Sequence, residues 1–185
     1  MRDTAISDAL APAGLVLLPV PVPVEVCPTQ GARVSSCSPG DGRIDEVVDL
    51  AQPDGLERFD EAWLRLATRM GLFAEDGAFL LAVTLDPDNE YSRWTPVRLA
   101  ERWNISGRNP GTISGPIGSG GLLTASMDGE VIISGTTWQD GTASAVGVPH
   151  PYRAEPIRRY VQMMLDEGEV PAGTEEGVRN WLMRA

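Results

Sequence analysis

The chain has 185 residues, of which 42% are hydrophobic and 22% charged, a composition typical of a folded globular protein rather than a disordered one. Its net charge is −11 and all 15 basic residues are arginine, which excludes lysine-dependent chemistry such as a Schiff base or a phosphate-loop lysine. The acidic balance argues against nucleic acid and membranes as partners and favours a basic protein.

Few residues in the chain are suited to metal binding or catalysis. Cys27 and Cys37 are the only cysteines and His150 is the only histidine. A Cys/His zinc site needs four such ligands, and we expect no metal and no cofactor. We predict two reduced thiols, with a disulfide as the alternative. No targeting or membrane-spanning segment is recognisable, which predicts a cytoplasmic protein.

Residues 1–13 are predicted to form a flexible N-terminus, and residues 14–185 a single domain. In residues 15–26 valines alternate with prolines. This pattern predicts an edge strand whose proline side faces solvent, because the prolines remove backbone donors from one edge only. A polyproline II segment bound by an aromatic groove is the alternative.

Residues 41–61 are the densest acidic stretch of the chain. Two arginines, Arg43 and Arg58, accompany eight carboxylates there. One interpretation of this stretch is a solvent-exposed helix face. The more specific interpretation is a binding surface for a basic protein. On the second interpretation the partner-binding residues are Asp41, Asp45, Glu46, Asp49, Asp54, Glu57, Asp60 and Glu61.

Two main amphipathic helices are predicted from apolar residues at helical spacing. The first begins after Asp54, in a capping-box pattern with Glu57, and ends at Gly71. The second begins at Pro156 and ends at Gly168. A short helix follows near the C-terminus.

Between the two main helices the chain is rich in strand signals. Residues 78–85, AFLLAVTL, predict a central strand buried on both faces, with a buried helix as the alternative. Thr95 and Pro96 resemble the cap and first position of a short helix. Residues 107–121 have the glycine separation of a phosphate loop, but neither its lysine nor a following helix. A flexible connector is therefore favoured over an anion site.

Residues 121–148 predict a three-stranded meander. Asp128-Gly129 and Asp140-Gly141 separate strand-like runs, and Asp-Gly there is the strongest short-range signal for a hairpin with a type I′ turn. His150 follows between two prolines. We interpret it as a turn histidine with a structural hydrogen bond rather than as a general base.

These elements predict an α+β fold, with a single antiparallel sheet of about five or six strands and two main helices packed on one of its faces. The acidic charge and the poverty of catalytic groups favour a non-catalytic protein-binding module, of immunity or antitoxin type, that engages a basic protein. The alternatives are a structural subunit of a phage or injection-particle assembly, which would form homo-oligomers, and a small-molecule enzyme that uses His150 or a cysteine.

Overall fold

The computed structural model describes residues 2–84, 92–106, 122–171 and 173–184. The predicted glycine-rich connector at 107–121 lies outside these residues. In chain order the elements are α1 (Arg2–Leu10), β1 (Leu15–Leu17), β2 (Ile44–Asp49), α2 (Gly55–Met70), β3 (Phe79–Val83), β4 (Arg93–Leu99), β5 (Leu123–Ala125), β6 (Val131–Thr137), β7 (Thr142–Pro149), α3 (Glu155–Glu167) and α4 (Glu175–Met183).

All of these strands join one antiparallel sheet of seven, in the order β1-β4-β3-β5-β6-β7-β2. The α+β prediction with a single antiparallel sheet is confirmed. The sheet exceeds the expected size because β2 and β4 are strands that the sequence does not reveal. Strands β1 and β2 form its two edges.

Strand β3 confirms the predicted central strand, since all five of its residues are buried. Successive strand residues point to opposite faces, so a strand that is apolar at every position can supply two cores. Phe79 and Leu81 belong to the core on one face, and Leu80 belongs to the core on the other.

The two main helices lie on opposite faces of the sheet, so the expectation that they share one face is not met. Trp63 and Leu66 of α2 pack in the core that contains Phe79. Ile157 and Val161 of α3 pack in the second core, to which α4 also contributes. The helix patterns specify an apolar stripe but not the face that it covers, and the two-sided β3 accommodates both arrangements.

The short helix predicted at Thr95 is wrong, because these residues lie in β4. Pro96 is tolerated there because its nitrogen faces β1 rather than β3. The N–H of Leu18 still donates to the carbonyl of Pro96 over 2.9 Å. Pro96 has no N–H to donate to the carbonyl of Leu18. Strand β1 therefore ends one residue before Leu18, at Leu17.

The predicted edge strand at residues 15–26 is confirmed in position and wrong in length. Only Leu15–Leu17 is a strand, and it lies at the edge of the sheet. The prolines that follow occupy irregular chain. At the N-terminus, α1 packs Leu10 into the first core, and the flexibility predicted for residues 1–13 stays a prediction.

The meander is confirmed as β5, β6 and β7, but its turns differ from the predicted type. The N–H of Gly129 bonds to the carbonyl of Ser126 at 3.0 Å, and the N–H of Gly141 bonds to that of Trp138 at 3.2 Å. In each turn only the glycine is left-handed, with φ of 73° and 85°. These are longer turns closed by a left-handed glycine, since a type I′ turn needs two residues with positive φ.

The helix limits agree with the sequence signals. Helix α2 ends at Gly71 and α3 at Gly168, which have φ of 76° and 70°. Asp54 stands at the N-terminal cap of α2, although its side chain makes no capping bond.

Candidate functional site

The acidic stretch folds into a strand and a helix, so its eight carboxylates do not form one surface. Five of the eight are exposed, two are half-buried and one is buried. In chain order they are Asp41 in the turn before β2, Asp45, Glu46 and Asp49 on β2, Asp54 at the cap of α2, and Glu57, Asp60 and Glu61 on α2.

The two half-buried carboxylates, Asp41 and Glu46, are both held by local bonds. Asp41 accepts hydrogen bonds from the backbone N–H and the hydroxyl of Ser38, at 2.8 and 2.7 Å, and these bonds lower its pKa. Glu46 faces α2 and lies 3.7 Å from Arg65 and 3.5 Å from Arg69. Both side chains therefore have structural partners within the chain.

Asp60 points into the protein and cannot contact a partner. Only 7% of it is exposed, and its carboxylate accepts the N–H of Ser106 at 2.8 Å. Burial raises the pKa of this carboxyl from 3.8 to about 6, against the opposing effect of the bonds from Ser106. We therefore remove Asp60 from the predicted partner-binding set.

The exposed carboxylates of α2 share their surface with arginines. Glu61 lies 4.0 Å from Arg65 one turn further along the helix. Arg58 and Arg69 are exposed on the same helix. This mixture of charges is ordinary for a solvated helix and gives no net preference for a basic partner.

Strand β2 differs because one of its edges is open. It pairs with β7 alone among the strands of the described residues. The N–H of Leu50 donates to the carbonyl of Gly141 over 3.0 Å, in the register of the β2–β7 pairing. Since bonded and non-bonded pairs alternate along an antiparallel ladder, the backbone groups of Asp45, Val47 and Asp49 point away from β7.

The side chains of these same three residues share one face of the sheet. Asp45 is the register partner of Val146, which belongs to the core beneath α3. Val47 and Asp49 follow at alternate positions and therefore face the same way. Val47 is 63% exposed, an unusual position for a valine in a strand.

Trp138 extends this exposed apolar area across the neighbouring strand. Its indole N–H donates to the hydroxyl of Ser144 over 2.8 Å. Ser144 is also the register partner of Val47. The serine is thus buried between two large apolar side chains, while Trp138 itself stays 41% exposed.

Carboxylates surround this apolar pair. Asp49 accepts the N–H of Ala51 at 2.9 Å, and Asp140 accepts the hydroxyl and the N–H of Thr142. These bonds hold the pKa of both carboxyls below the ordinary value, although the charge of Asp140 opposes the ionisation of Asp49. The two are therefore ionised at neutral pH. Asp45 completes the set and is bonded to Arg43 at 3.1 Å.

We call this area the acidic edge. It consists of Asp45, Val47 and Asp49 on β2 together with Trp138 and Asp140 from the turn between β6 and β7. It combines an open strand edge, an exposed apolar pair and flanking negative charge.

His150 belongs to a different cluster, which lies at the opposite end of strand β7 from the β6–β7 turn. Its Nδ1 lies 2.6 Å from Oε2 of Glu130, and the hydroxyl of Tyr152 donates to the same oxygen at 3.0 Å. Arg184 binds the second oxygen of Glu130 and reaches the carbonyl of Glu25 at 2.7 Å. The predicted structural hydrogen bond of His150 is present, and the cluster ties the C-terminal segment to the meander.

The cysteines lie in the second core and are not placed for nucleophilic chemistry. Cys27 and Cys37 are both buried and unbridged. Burial raises the pKa of both thiols, that of Cys37 to about 11, so neither is a thiolate at neutral pH. Two surface grooves of about 650 and 510 Å³ include neither cysteine in their walls, nor His150.

Within the described ranges, no group of three or more histidine, cysteine or carboxylate side chains is placed to hold a metal ion. None of the helices in that part of the chain is long and apolar enough to cross a membrane.

No family model, curated protein or solved structure matches this chain.

The sequence points to Asp45 and Asp49 as site residues, but it does not indicate that Val47, Trp138 and Asp140 belong to the same surface. The missed signal is the trio Ile44, Val47 and Val48, since β-branched residues are enriched in strands even where acidic residues separate them. The grouping with Trp138 depends on the register of β2 against β7, which no local pattern reveals.

Proposed function

We propose that the protein is a non-catalytic module that binds a basic protein partner through the acidic edge. An immunity or antitoxin role is one form of this function, because such proteins neutralise a partner by covering it. The observation that carries the proposal is the position of Asp45, Asp49 and Asp140 around the exposed pair Val47 and Trp138.

The chemistry of this surface suits a protein partner. An exposed aromatic residue and an aliphatic neighbour supply apolar contact area, and aromatic residues are enriched in protein interfaces. Ionised carboxylates around such a patch raise the association rate of a basic partner and select against acidic ones. We further propose that the protein acts in the cytoplasm, because its cysteines are unbridged.

A salt-graded pull-down tests this function. The site variant combines Asp45→Asn, Asp49→Asn and Asp140→Asn. The matched control combines Glu75→Gln, Glu167→Gln and Glu169→Gln, which removes the same charge from exposed positions elsewhere.

We expect the wild type and the control to retain a basic protein from its source cells, and to release it as salt is raised, because salt screens exposed charges. The site variant should retain it weakly. Equal retention by all three proteins would contradict the proposal.

A further inference from the structure

We propose that the basic partner docks as an additional strand along the outer edge of β2. This inference rests on the proposed function and specifies its binding mode. Strand addition supplies affinity through backbone hydrogen bonds and specificity through alternate side chains.

The outward backbone groups of β2 at Asp45 and Val47 can accept such a strand. The donors and acceptors of Asp45, Val47 and Asp49 point away from β7, as the bond from Leu50 to Gly141 requires. Within the described ranges no backbone or side-chain hydrogen bond is made to the outward groups of Val47. Asp45 and Val47 therefore offer outward bonding groups, whereas the carbonyl of Asp49 lies against the buried Gly55 at the start of α2.

The two edge strands of the sheet differ in how well the sequence protects them against pairing with another strand. Edge strand β1 has three residues and is followed by Pro19, Pro21 and Pro23, which have no N–H to donate. Edge strand β2 has six residues and contains no proline. Proteins commonly protect edges with short strands and prolines, and only β1 has these protections.

The side chains of β2 specify the chemistry of the added strand. Asp45 and Asp49 flank Val47 on one face, two positions to either side. Opposite charges and apolar residues stabilise directly paired positions in antiparallel sheets. The complementary segment therefore has an apolar residue opposite Val47 and a basic residue two positions before and after it.

A second copy of this chain is a poor occupant. Antiparallel pairing of two β2 strands about Val47 would place Asp45 of one copy opposite Asp49 of the other. Like charges directly opposite each other are destabilising. The same carboxylates that repel a second copy attract a basic segment, which makes a different, basic chain the occupant.

Binding of a synthetic peptide tests this mode. The probe is a fluorescent peptide with the core Arg-Thr-Val-Thr-Arg, measured by anisotropy at low ionic strength. One control has the same composition in the order Thr-Arg-Val-Arg-Thr, which moves the arginines away from the aspartates. A second control carries N-methyl groups on the backbone amides of the edge that faces β2.

A pair of variants tests the backbone of β2 itself. Val47→Pro removes an outward N–H that β7 does not use, and Val47→Thr keeps it. We expect Val47→Pro and the N-methylated peptide to weaken binding about tenfold, and Val47→Thr to change it less than about threefold. The peptide control answers the same question without altering the protein, should Val47→Pro unfold.

The outcomes separate the binding mode from the proposed function. Equal binding of the parent and N-methylated peptides would overturn the strand addition, and so would failure of the wild type to bind the probe. Loss of binding in Asp45→Asn and Asp49→Asn together with indifference to N-methylation would leave the function standing and refute the mode. A positive salt-graded pull-down in which the site variant retains the partner fully would refute both.

Discussion

Trp138 donates its indole N–H to the hydroxyl of Ser144, and this bond of 2.8 Å fixes the orientation of an exposed aromatic ring. Ser144 lies beneath Trp138 and beside Val47, its register partner on β2. The apolar part of the acidic edge is thus held in place by a buried hydroxyl. A preorganised aromatic residue loses less conformational freedom when it binds a partner than a mobile one does.

The hydrogen bond between Trp138 and Ser144 should stabilise the folded protein, and its contribution should appear as a coupling energy between the two residues. We expect Trp138→Phe and Ser144→Ala each to destabilise the protein by about 1 kcal/mol, because each removes the hydrogen bond. The double variant should cost less than the sum, with a coupling energy of about 1 kcal/mol. Urea unfolding of the wild type, the two single variants and the double variant measures this coupling energy. Strictly additive losses of stability would show that the bond does not form.

Asp60 should make stability depend on pH. Its pKa is raised by burial to about 6 in the folded protein. The folded state therefore holds this proton more tightly than the unfolded state does. The stabilisation is complete below the unfolded pKa and is lost as the pH rises through the window between about 4 and about 6.

Asp60→Asn keeps an oxygen that can accept the N–H of Ser106 and removes the titration. Relative to this variant, the wild type should lose about 2–3 kcal/mol of unfolding free energy between low pH and neutrality. Urea unfolding at several pH values measures the difference. The other carboxylates titrate equally in both proteins and cancel. Parallel pH profiles would contradict the burial of this charge.

The C-terminal helix should depend on one arginine. Arg158 of α3 donates to the carbonyls of Tyr152, Leu182 and Arg184 at 2.7–3.1 Å. Arg158→Met leaves these carbonyls without their charged donor, and we expect a loss of about 2 kcal/mol and faster hydrogen exchange in α4.

The neighbouring arginine is a matched control for this variant. Arg159 is exposed and forms a 3.8 Å ion pair with Glu155, which is itself exposed. Arg159→Met should change the unfolding free energy by less than about 0.5 kcal/mol. A similar loss in both variants would mean that the three carbonyl bonds do not anchor α4.

The two thiols should be protected in the folded protein. Cys27 and Cys37 are buried and burial raises the pKa of each, so a thiol reagent should react with neither at neutral pH. After unfolding in guanidinium, without reductant, both should react. Two reactive thiols in the native protein would contradict their burial, and none in the unfolded protein would indicate a disulfide.

Local signals in the sequence predict the centre of the fold well. Residues 79–83 are continuously apolar, and a strand buried on both faces requires this. The Asp-Gly pairs at 128–129 and 140–141 mark the meander turns because glycine adopts positive φ without steric cost. Gly71 ends its helix for the same reason.

The edge strand β2 cannot be found in this way. Three of its six residues are acidic, and such a pattern is tolerated only because one side of an edge strand faces water. Strand β4 is hidden for a related reason, since Pro96 is admitted only where its nitrogen faces the short β1. Both cases depend on the neighbours of a strand in the sheet, which the local sequence does not contain.

The same limit applies to the site. The carboxylates of residues 41–61 are visible in the sequence, but which of them are exposed is decided by tertiary contacts. Asp60 is buried in the interior, and Glu46 forms ion pairs with two arginines of α2. Trp138 joins the site from about ninety residues away, through the antiparallel register of β7 with β2.

Two-dimensional NMR of the isotope-labelled protein, titrated with the Arg-Thr-Val-Thr-Arg peptide, is the decisive test of whether a basic segment binds at the acidic edge. We expect the shifts to concentrate on the outward amides of Asp45, Val47 and Asp49 and on the Trp138 indole, and these amides to exchange more slowly in the complex. Shifts confined to the outer face of α2, with the β2 amides unchanged, would contradict it.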